Sequence, residues 1–309
     1  MSGPNTVIEV ERTVYYVDPL GIGSQSVSGV YLLIADGITL IETGTSLNAP
    51  HILDAVRSLG HKESDIVRAI VTHVHLDHAG ATGWLVRRVP HMRVCVHERG
   101  ARHLADPSRL MSSAEMVYGD RETITDIHGE IIPVPEKNLA PVTNEHLDIG
   151  AGTRLKIFEA PGHAPHHLCV FEPDTGCLFS GEALGHYLPA FDILTPAVAP
   201  PGFDLAASME TSQRIRDLDP RVICFSQFGQ HRDPAFVIEE SDRLLNDYGD
   251  RIRRALERGM SSGDIIEMLF TRLSREAFAE NFSDQSIRGM LMSIVLGYYQ
   301  YFERTGLIC

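Results

Sequence analysis

The chain has 309 residues and a mass of 34.2 kDa, enough for a sizeable buried core. Its 43% apolar and 22% charged residues are ordinary for a globular protein, and no apolar run reaches the ~18 residues that a membrane span needs. Lys and Arg number 27 against 41 Asp and Glu, a net charge of −14, which argues against nucleic acid as a partner because phosphate affinity comes mostly from clustered cations.

Val7 to Val17 alternates loosely and predicts a strand, and Val27 to Ala35 predicts a second, rich in β-branched residues. Asp36-Gly37 is a hairpin turn signal, with Ile38 to Ile41 as the return strand. Pro50 opens a helix with Ile52, Leu53, Val56 and Leu59 on one face, ended by Gly60. Val67 to Val71, apolar but for Arg68, is a short strand that ends at Thr72-His73. A helix over Gly83 to Val89, with Trp84 in the core, and a strand over Met92 to Val96 follow. Residues 101–141 are less regular and read as an insertion with helical pieces.

Arg154 to Glu159, Leu168 to Glu172 and Cys177 to Phe179 return to strand character, with a turn at Asp174-Thr175-Gly176. Leu188 to Gly202 is a proline-rich loop, Asp204 to Leu218 a helix, and Val222 to Phe225 one more buried strand. From Pro234 the pattern is helical only, and Ser261 with Asp264 forms a capping box for the stripe that begins at Ile265. Arg251, Arg253 and Arg254 read as a solvated face. The predicted division is therefore a mixed β/α region over 1–233 and a helical region over 234–309.

Cys95, Cys169, Cys177, Cys224 and Cys309 form no C-x-x-C pair, so buried free thiols in a reducing compartment are expected. The first residues lack a basic flank followed by an apolar stretch, and a cytoplasmic protein is expected.

Chemistry concentrates at one place. His73, His75, Asp77 and His78 fall within six residues, directly after a buried strand. Packing gives no reason to cluster imidazoles. Neutral imidazole nitrogen and carboxylate oxygen are, however, ligands suited to Zn, Fe or Mn.

Thr72-His73-Val74-His75-Leu76-Asp77-His78-Ala79-Gly80 resembles the T-H-x-H-x-D-H-x-G signature of the metallo-β-lactamase superfamily. Glu42-Thr43-Gly44 stands where that family has D-T-G, Pro161-Gly162-His163 matches its P-G-H, and Glu182 stands at its G-D position. The resemblance spans roughly residues 7–231. It implies an αββα sandwich, here with a C-terminal helical extension. It also implies two divalent metal ions, zinc first and iron or manganese as alternatives. His73, His75 and His163 would hold one ion, with Asp77, His78 and a late histidine on the second, Glu182 bridging, and a metal-bound hydroxide as nucleophile. His231 is the expected late histidine, with Gln227 the alternative, because Gln227 occupies the family position after the strand. Glu182 and Glu42 both replace the family's Asp, so the surroundings of the metals are expected to be rebuilt.

His166 and His167 are expected beside the metal ligands. Tyr187 is a candidate donor to the substrate oxyanion, and Asp77 a candidate proton carrier. The resemblance leads to hydrolysis of a small-molecule thioester, ester or lactone, in the glyoxalase II-like or lactonase-like branch. The alternatives are an iron-dependent oxidoreductase (reducing O2 or NO at a diiron site, or a persulfide dioxygenase) and a non-catalytic metal-binding sensor. The expected partner is a small-molecule substrate, with neither nucleic acid nor membrane, and a homodimer is left open.

Overall fold

The computed structural model describes residues 6–18, 29–189, 192–227, 229–273 and 283–308. The chain forms two compact units, one of residues 1–159, 166–181 and 220–232, the other of 160–165, 182–219 and 233–309.

The first unit contains two sheets. The seven-stranded sheet runs in chain order: β1 (Thr6–Glu11), β2 (Val14–Asp18), β3 (Val30–Ile34), β4 (Ile38–Ile41), β5 (Ile66–Ile70), β6 (Arg93–His97) and β7 (Leu139–Val142). It is antiparallel as far as β4 and parallel from β4 to β7. The parallel crossovers carry α1 (Ala49–Ser58), then α2 (Leu76–Ala79) and α3 (Thr82–Arg88), then α4 (Glu98–Ala105), α5 (Ser108–Tyr118) and α6 (Arg121–His128). The six-stranded sheet has β8 (Glu145–Gly150), β9 (Thr153–Glu159), β10 (Leu168–Glu172), β11 (Cys177–Gly181), β14 (Val222–Phe225) and β15 (Gly229–His231) in the order β15-β14-β11-β10-β9-β8.

The period of two along a strand explains why β3 is apolar throughout. Tyr31 and Leu33 join a layer shared with Leu155, Ile157, Val170, Phe179 and Val222 of the other sheet. Val30 and Leu32 face the opposite way, into a layer with Ile52 and Val56 of α1 and Leu85 and Val86 of α3. Trp84 is half-buried against this second layer. Burial on both faces leaves no position for a polar residue. Cys95, Cys169, Cys177 and Cys224 are buried free thiols, as expected, and burial pushes the Cys95 thiol up to about 11. Cys309 lies outside the described residues.

Several predicted elements divide differently. Val7 to Val17 is not one strand but the β1–β2 hairpin, turned at Arg12-Thr13 with Thr13 at φ 70°. No Gly or Asn marks that turn, so the sequence carries no signal for it. Val27 lies outside the described residues. The stretch 101–141 is helical as far as His128 and then ends in β7, the last strand of the first sheet. Pro141 fits there because an edge strand tolerates a missing N–H. The proline-rich loop holds a hairpin of β12 (His186–Leu188) and β13 (Ile193–Thr195).

The second unit contains that hairpin, α7 (Leu205–Asp217), α8 (Pro234–Glu257), α9 (Ser262–Leu273) and α10 (Asp284–Thr305). The capping box at Ser261 forms as predicted: Ser261 Oγ accepts from Asp264 N at 3.2 Å, and Asp264 Oδ2 accepts from Ser261 N at 3.3 Å. Arg251, Arg253 and Arg254 pair with Asp247, Asp250 and Glu257 on an exposed face. The segment 160–165 is fixed to α7. Thr211 Oγ1 donates to Pro161 O at 2.7 Å, and Asp204 N donates to Gly162 O at 2.8 Å. Gly162, at φ 143°, lies so close to Ser208 that a Cβ would meet its Oγ at 2.4 Å. Among the described residues, no helix is long and apolar enough to cross a membrane.

Candidate metal centre

In the first unit, four of the predicted ligands sit just past the end of β5. His75 is in extended conformation and caps the single turn of α2, which carries Asp77 and His78. That turn is held from the side. The His78 carbonyl accepts from Thr43 N at 2.9 Å, Gly44 N at 3.1 Å and Thr43 Oγ1 at 3.0 Å, so the loop after β4 is bound to the ligand-bearing turn. Gly44 at φ 65° permits this path. Ser46 extends the clamp, its Oγ donating to Glu130 O at 2.6 Å and lying 3.1 Å from Gly80 O.

Glu42 is fully buried and sits at φ 68°, an uncommon conformation for a residue with a Cβ. Its carboxylate accepts from Thr72 N at 3.2 Å, from Ser226 Oγ at 2.8 Å and from the Thr72 hydroxyl, and lies 3.4 Å from His78 Nδ1. This network assigns a tautomer. The Thr72 proton goes to Glu42, so Thr72 Oγ1 is an acceptor towards His73 Nδ1 at 3.0 Å, and Nδ1 carries the ring proton. The Nε2 lone pair of His73 then points outward, 2.9 Å from Nδ1 of His75.

The surrounding imidazoles fix these rings. His167 is fully buried and stacks on His73 with centroids 5.1 Å apart. His166 Nε2 accepts from Val74 N at 3.3 Å, tying down the backbone between the two ligands. Both therefore lie beside the ligands, as expected. Asp77 Oδ2 is 3.1 Å from His78 Nε2 and accepts from Gln227 Nε2 at 3.1 Å. A carboxylate accepts only, so the amide NH2 must face it. His231 is half-buried in β15, opposite Ile223, and joins no cluster of three or more ligand-type side chains among the described residues. Tyr31 holds the intervening turn, with its hydroxyl 2.9 Å from Phe225 O and 2.8 Å from Gly229 O.

Sequence reasoning missed His128, at the end of α6. It is buried, and burial holds its imidazole below the usual range, opposed by the charge of Asp77. Nothing in the sequence distinguishes it from a helix-end histidine.

The second unit holds His163 and Glu182. His163 Nδ1 lies 3.0 Å from Ala197 O, which can only accept, so Nδ1 is the protonated nitrogen. Nε2 presents its lone pair to Glu182 Oε2 at 2.7 Å. The other oxygen, Oε1, contacts Nε2 of His186. A neutral ring nitrogen and a carboxylate oxygen are both acceptors, and their close approach suits a cation between them. In each unit the donor set therefore fits a divalent metal: deprotonated nitrogens oriented by bonds from their other ring atom, next to carboxylates. Within the first unit, Glu42, His73 and His78 form a buried group with ligand atoms within 4.8 Å of one another.

The sequence profile of the metallo-β-lactamase superfamily matches residues 23–227. The chain belongs to that superfamily. Its fold is the α/β sandwich of these proteins with C-terminal helices added. Among curated proteins, this superfamily chain is 29% identical over 202 residues to the metallo-beta-lactamase fold-containing protein ST1585 of Sulfurisphaera tokodaii, covering 64% of this chain and 72% of that one. It is 23% identical over 266 residues to a probable metallo-hydrolase, YqjP, of Bacillus subtilis, covering 78% and 80%. Among solved structures, the family protein TTHA1429 of Thermus thermophilus superposes with a TM-score of 0.71 at 22% identity, covering 96% of this chain and 95% of that one. That membership carries a metallo-hydrolase setting, and the His and Glu groups above are candidate metal sites.

Proposed function

We propose that the chain hydrolyses a small-molecule thioester, ester or lactone with two divalent metal ions, zinc first. The observation that carries this reading is the His73–His78 cluster, whose His73 tautomer is set by Thr72 and Glu42 so that Nε2 is available as a ligand. The ligands the resemblance implies are His73, His75, Asp77 and His78 in the first unit and His163 and Glu182 in the second. Bound there, such ions polarise a carbonyl and lower the pKa of water to about 7.

The chain's own residues supply the rest. Asp77 is 35% exposed at its side chain, so its carboxylate is open to solvent while Gln227 and His78 orient it, which suits a proton carrier. Tyr187 remains a phenol at neutral pH: burial first, then its bond to Asp192 at 2.9 Å, pushes it up to about 12. A protonated phenol beside the carboxylate segment suits an oxyanion donor. Tyr187→Phe is expected to lower kcat by about 10²–10³-fold with little change in KM, the usual loss for one oxyanion donor. An unchanged kcat removes Tyr187 from catalysis.

Thioesters head the substrate classes. An atrochrysone carboxyl ACP thioesterase of Pseudocercospora fijiensis is 25% identical over 131 residues, covering 42% of this chain and 29% of that one. The region 234–309 and the insertion at 101–141 are proposed to select the substrate, in a cytoplasmic protein whose buried thiols stay reduced. The test is elemental analysis of the purified chain together with turnover on thioesters, esters and lactones. Turnover that a chelator abolishes and zinc restores is the expected result. Iron with O2 consumption and no hydrolysis would replace this reading with an oxidoreductase, and metal without turnover would replace it with a sensor.

A further inference from the structure

Within the first unit, the loop after β4 is stitched to the ligand-bearing turn in both directions. Its amides bond to His78 O, as above, and in return Ala81 N donates to Gly44 O at 2.9 Å. The loop is also closed on itself. Thr45 N and Thr45 Oγ1 donate to Asn48 Oδ1 at 3.2 and 2.6 Å, and Asn48 N donates to Thr45 O at 2.9 Å. Thr45, Ser46 and Asn48 are buried, but Leu47 between them is 50% exposed. A scattered exposed leucine is ordinary. This one has no backbone freedom to turn inward, because the residues on both sides are hydrogen-bonded and buried.

Leu47 leans on the end of α6. Ser46 N donates to His128 O at 2.9 Å, and a Cβ on Gly129 would meet Leu47 Cγ at 3.3 Å. Gly129 takes φ 74°, which lets the chain leave the helix there. Two residues earlier stands Ile127, also an exposed apolar side chain. It follows Ile124 by three residues and so shares a side of α6 with it. Ile124 is fully buried in a small cluster with Ala114 of α5 and with Leu76, the residue between His75 and Asp77. The apolar side of α6 is therefore closed over the ligand-bearing turn at Ile124 and open to solvent at Ile127. His128, between Ile127 and Gly129, is near enough to Asp77 for that carboxylate's charge to act on it.

We propose that Leu47 and Ile127 seat the aliphatic acyl chain of the substrate, so that longer acyl groups are preferred to acetyl. This rests on the hydrolase reading above. Thioesters, esters and lactones share an acyl part and differ in what leaves, so a rigid apolar seat is assigned to the shared part. Both side chains are uncharged, and covering them with alkyl groups removes apolar surface from water on both partners.

The test compares kcat/KM for acetyl, butanoyl and hexanoyl thioesters of one thiol. A fully buried methylene is worth about fourfold, and a half-open seat about twofold, so the hexanoyl-to-acetyl ratio is expected to be at least about tenfold. Leu47→Ser and Ile127→Ser are each expected to lower that ratio by about threefold or more, and Leu47→Met to keep it. A second readout needs no turnover: calorimetric binding of methyl ketones with the same acyl chains, which keep the carbonyl but have no group to leave. Their affinity is expected to rise with chain length in the wild type and to rise less in the two serine variants. A ratio unchanged by both serine variants overturns the seat and leaves the hydrolase standing, as does a preference that follows the length of the thiol instead. Ketone binding that depends on Leu47 and Ile127, with no hydrolysis, keeps the seat and removes the hydrolase.

Discussion

Asp77→Ala is expected to abolish hydrolysis while the fold stays intact. The two effects separate because of where Asp77 sits. It lies on the single turn of α2, and its side chain is 35% exposed. What holds the turn in place is the His78 carbonyl bound by Thr43 and Gly44, none of which uses the Asp77 carboxylate. Removing that carboxylate costs His78 Nε2, which is fully buried, and Gln227 Nε2 one partner each. Stability should fall by about 1–3 kcal/mol, the cost of taking a partner from a buried polar atom, which leaves the fold standing. Activity loses more. A positioned proton carrier is worth about 10²–10⁴-fold, and here the same residue is also a proposed ligand. Asp77→Asn keeps the shape and removes the charge, and should be nearly as inactive. Both variants are measured by kcat/KM on the best substrate, by unfolding, and by metal content. Turnover within tenfold of wild type in Asp77→Ala would end the proton-carrier and ligand roles together.

The contiguous part of the site was legible because four donors within six residues have no packing explanation. The parts built across the chain were not. Glu42 meets Thr72 across 30 residues and Ser226 across 184, and Gln227 meets Asp77 across 150. The sequence singles out Glu42 as a departure from D-T-G, but not the three donors that hold it. Gln227 was weighed only as a replacement ligand, and its role as the donor that orients Asp77 depends on where Tyr31 fixes the turn after β14. His186 and Glu182 are only four residues apart, yet their contact depends on the positive φ of Gly185, which a spacing does not reveal.

The same division runs through the fold. Strands buried on both faces, such as β3 and β14, announce themselves as apolar runs. Strand β8, Glu-His-Leu-Asp-Ile-Gly, buries one residue of six and reads as loop, and only its pairing with β9 makes it a strand. The β12–β13 hairpin lies in a segment whose prolines argue for a loop, and three residues per strand give no period to detect. The three long tail helices were clear because their stripes run for many turns.

Gly83→Ala is expected to destabilise the protein, although helix propensity alone predicts the reverse. Gly83 lies within α3, where replacing Gly by Ala is ordinarily favourable by about 1 kcal/mol. Here a Cβ would stand 1.9 Å from the carbonyl oxygen of Ile132 and 2.6 Å from its carbonyl carbon. The obstacle is backbone, so no rotamer change relieves it. Either α3 or the chain at 131–132 must move by more than an ångström. Both are anchored: Leu85 and Val86 of α3 lie in the buried helix-facing layer, and Val134 N is bonded to Leu104 O at 2.8 Å. Overpacking of this kind costs about 1–3 kcal/mol, and a backbone obstacle belongs at the upper end, so the clash outweighs the propensity gain. Gly289→Ala in α10 is the matched control. Nothing lies within 4 Å of its added Cβ, so only propensity acts and stability should rise by about 0.5–1 kcal/mol. Chemical denaturation of both variants therefore gives shifts of opposite sign. A stabilised Gly83→Ala would mean that α3 does not press on residue 132. It would also weaken the case that the clamp from Ser46 to Glu130 holds the ligand-bearing turn against a fixed wall, since that wall is the same segment of chain.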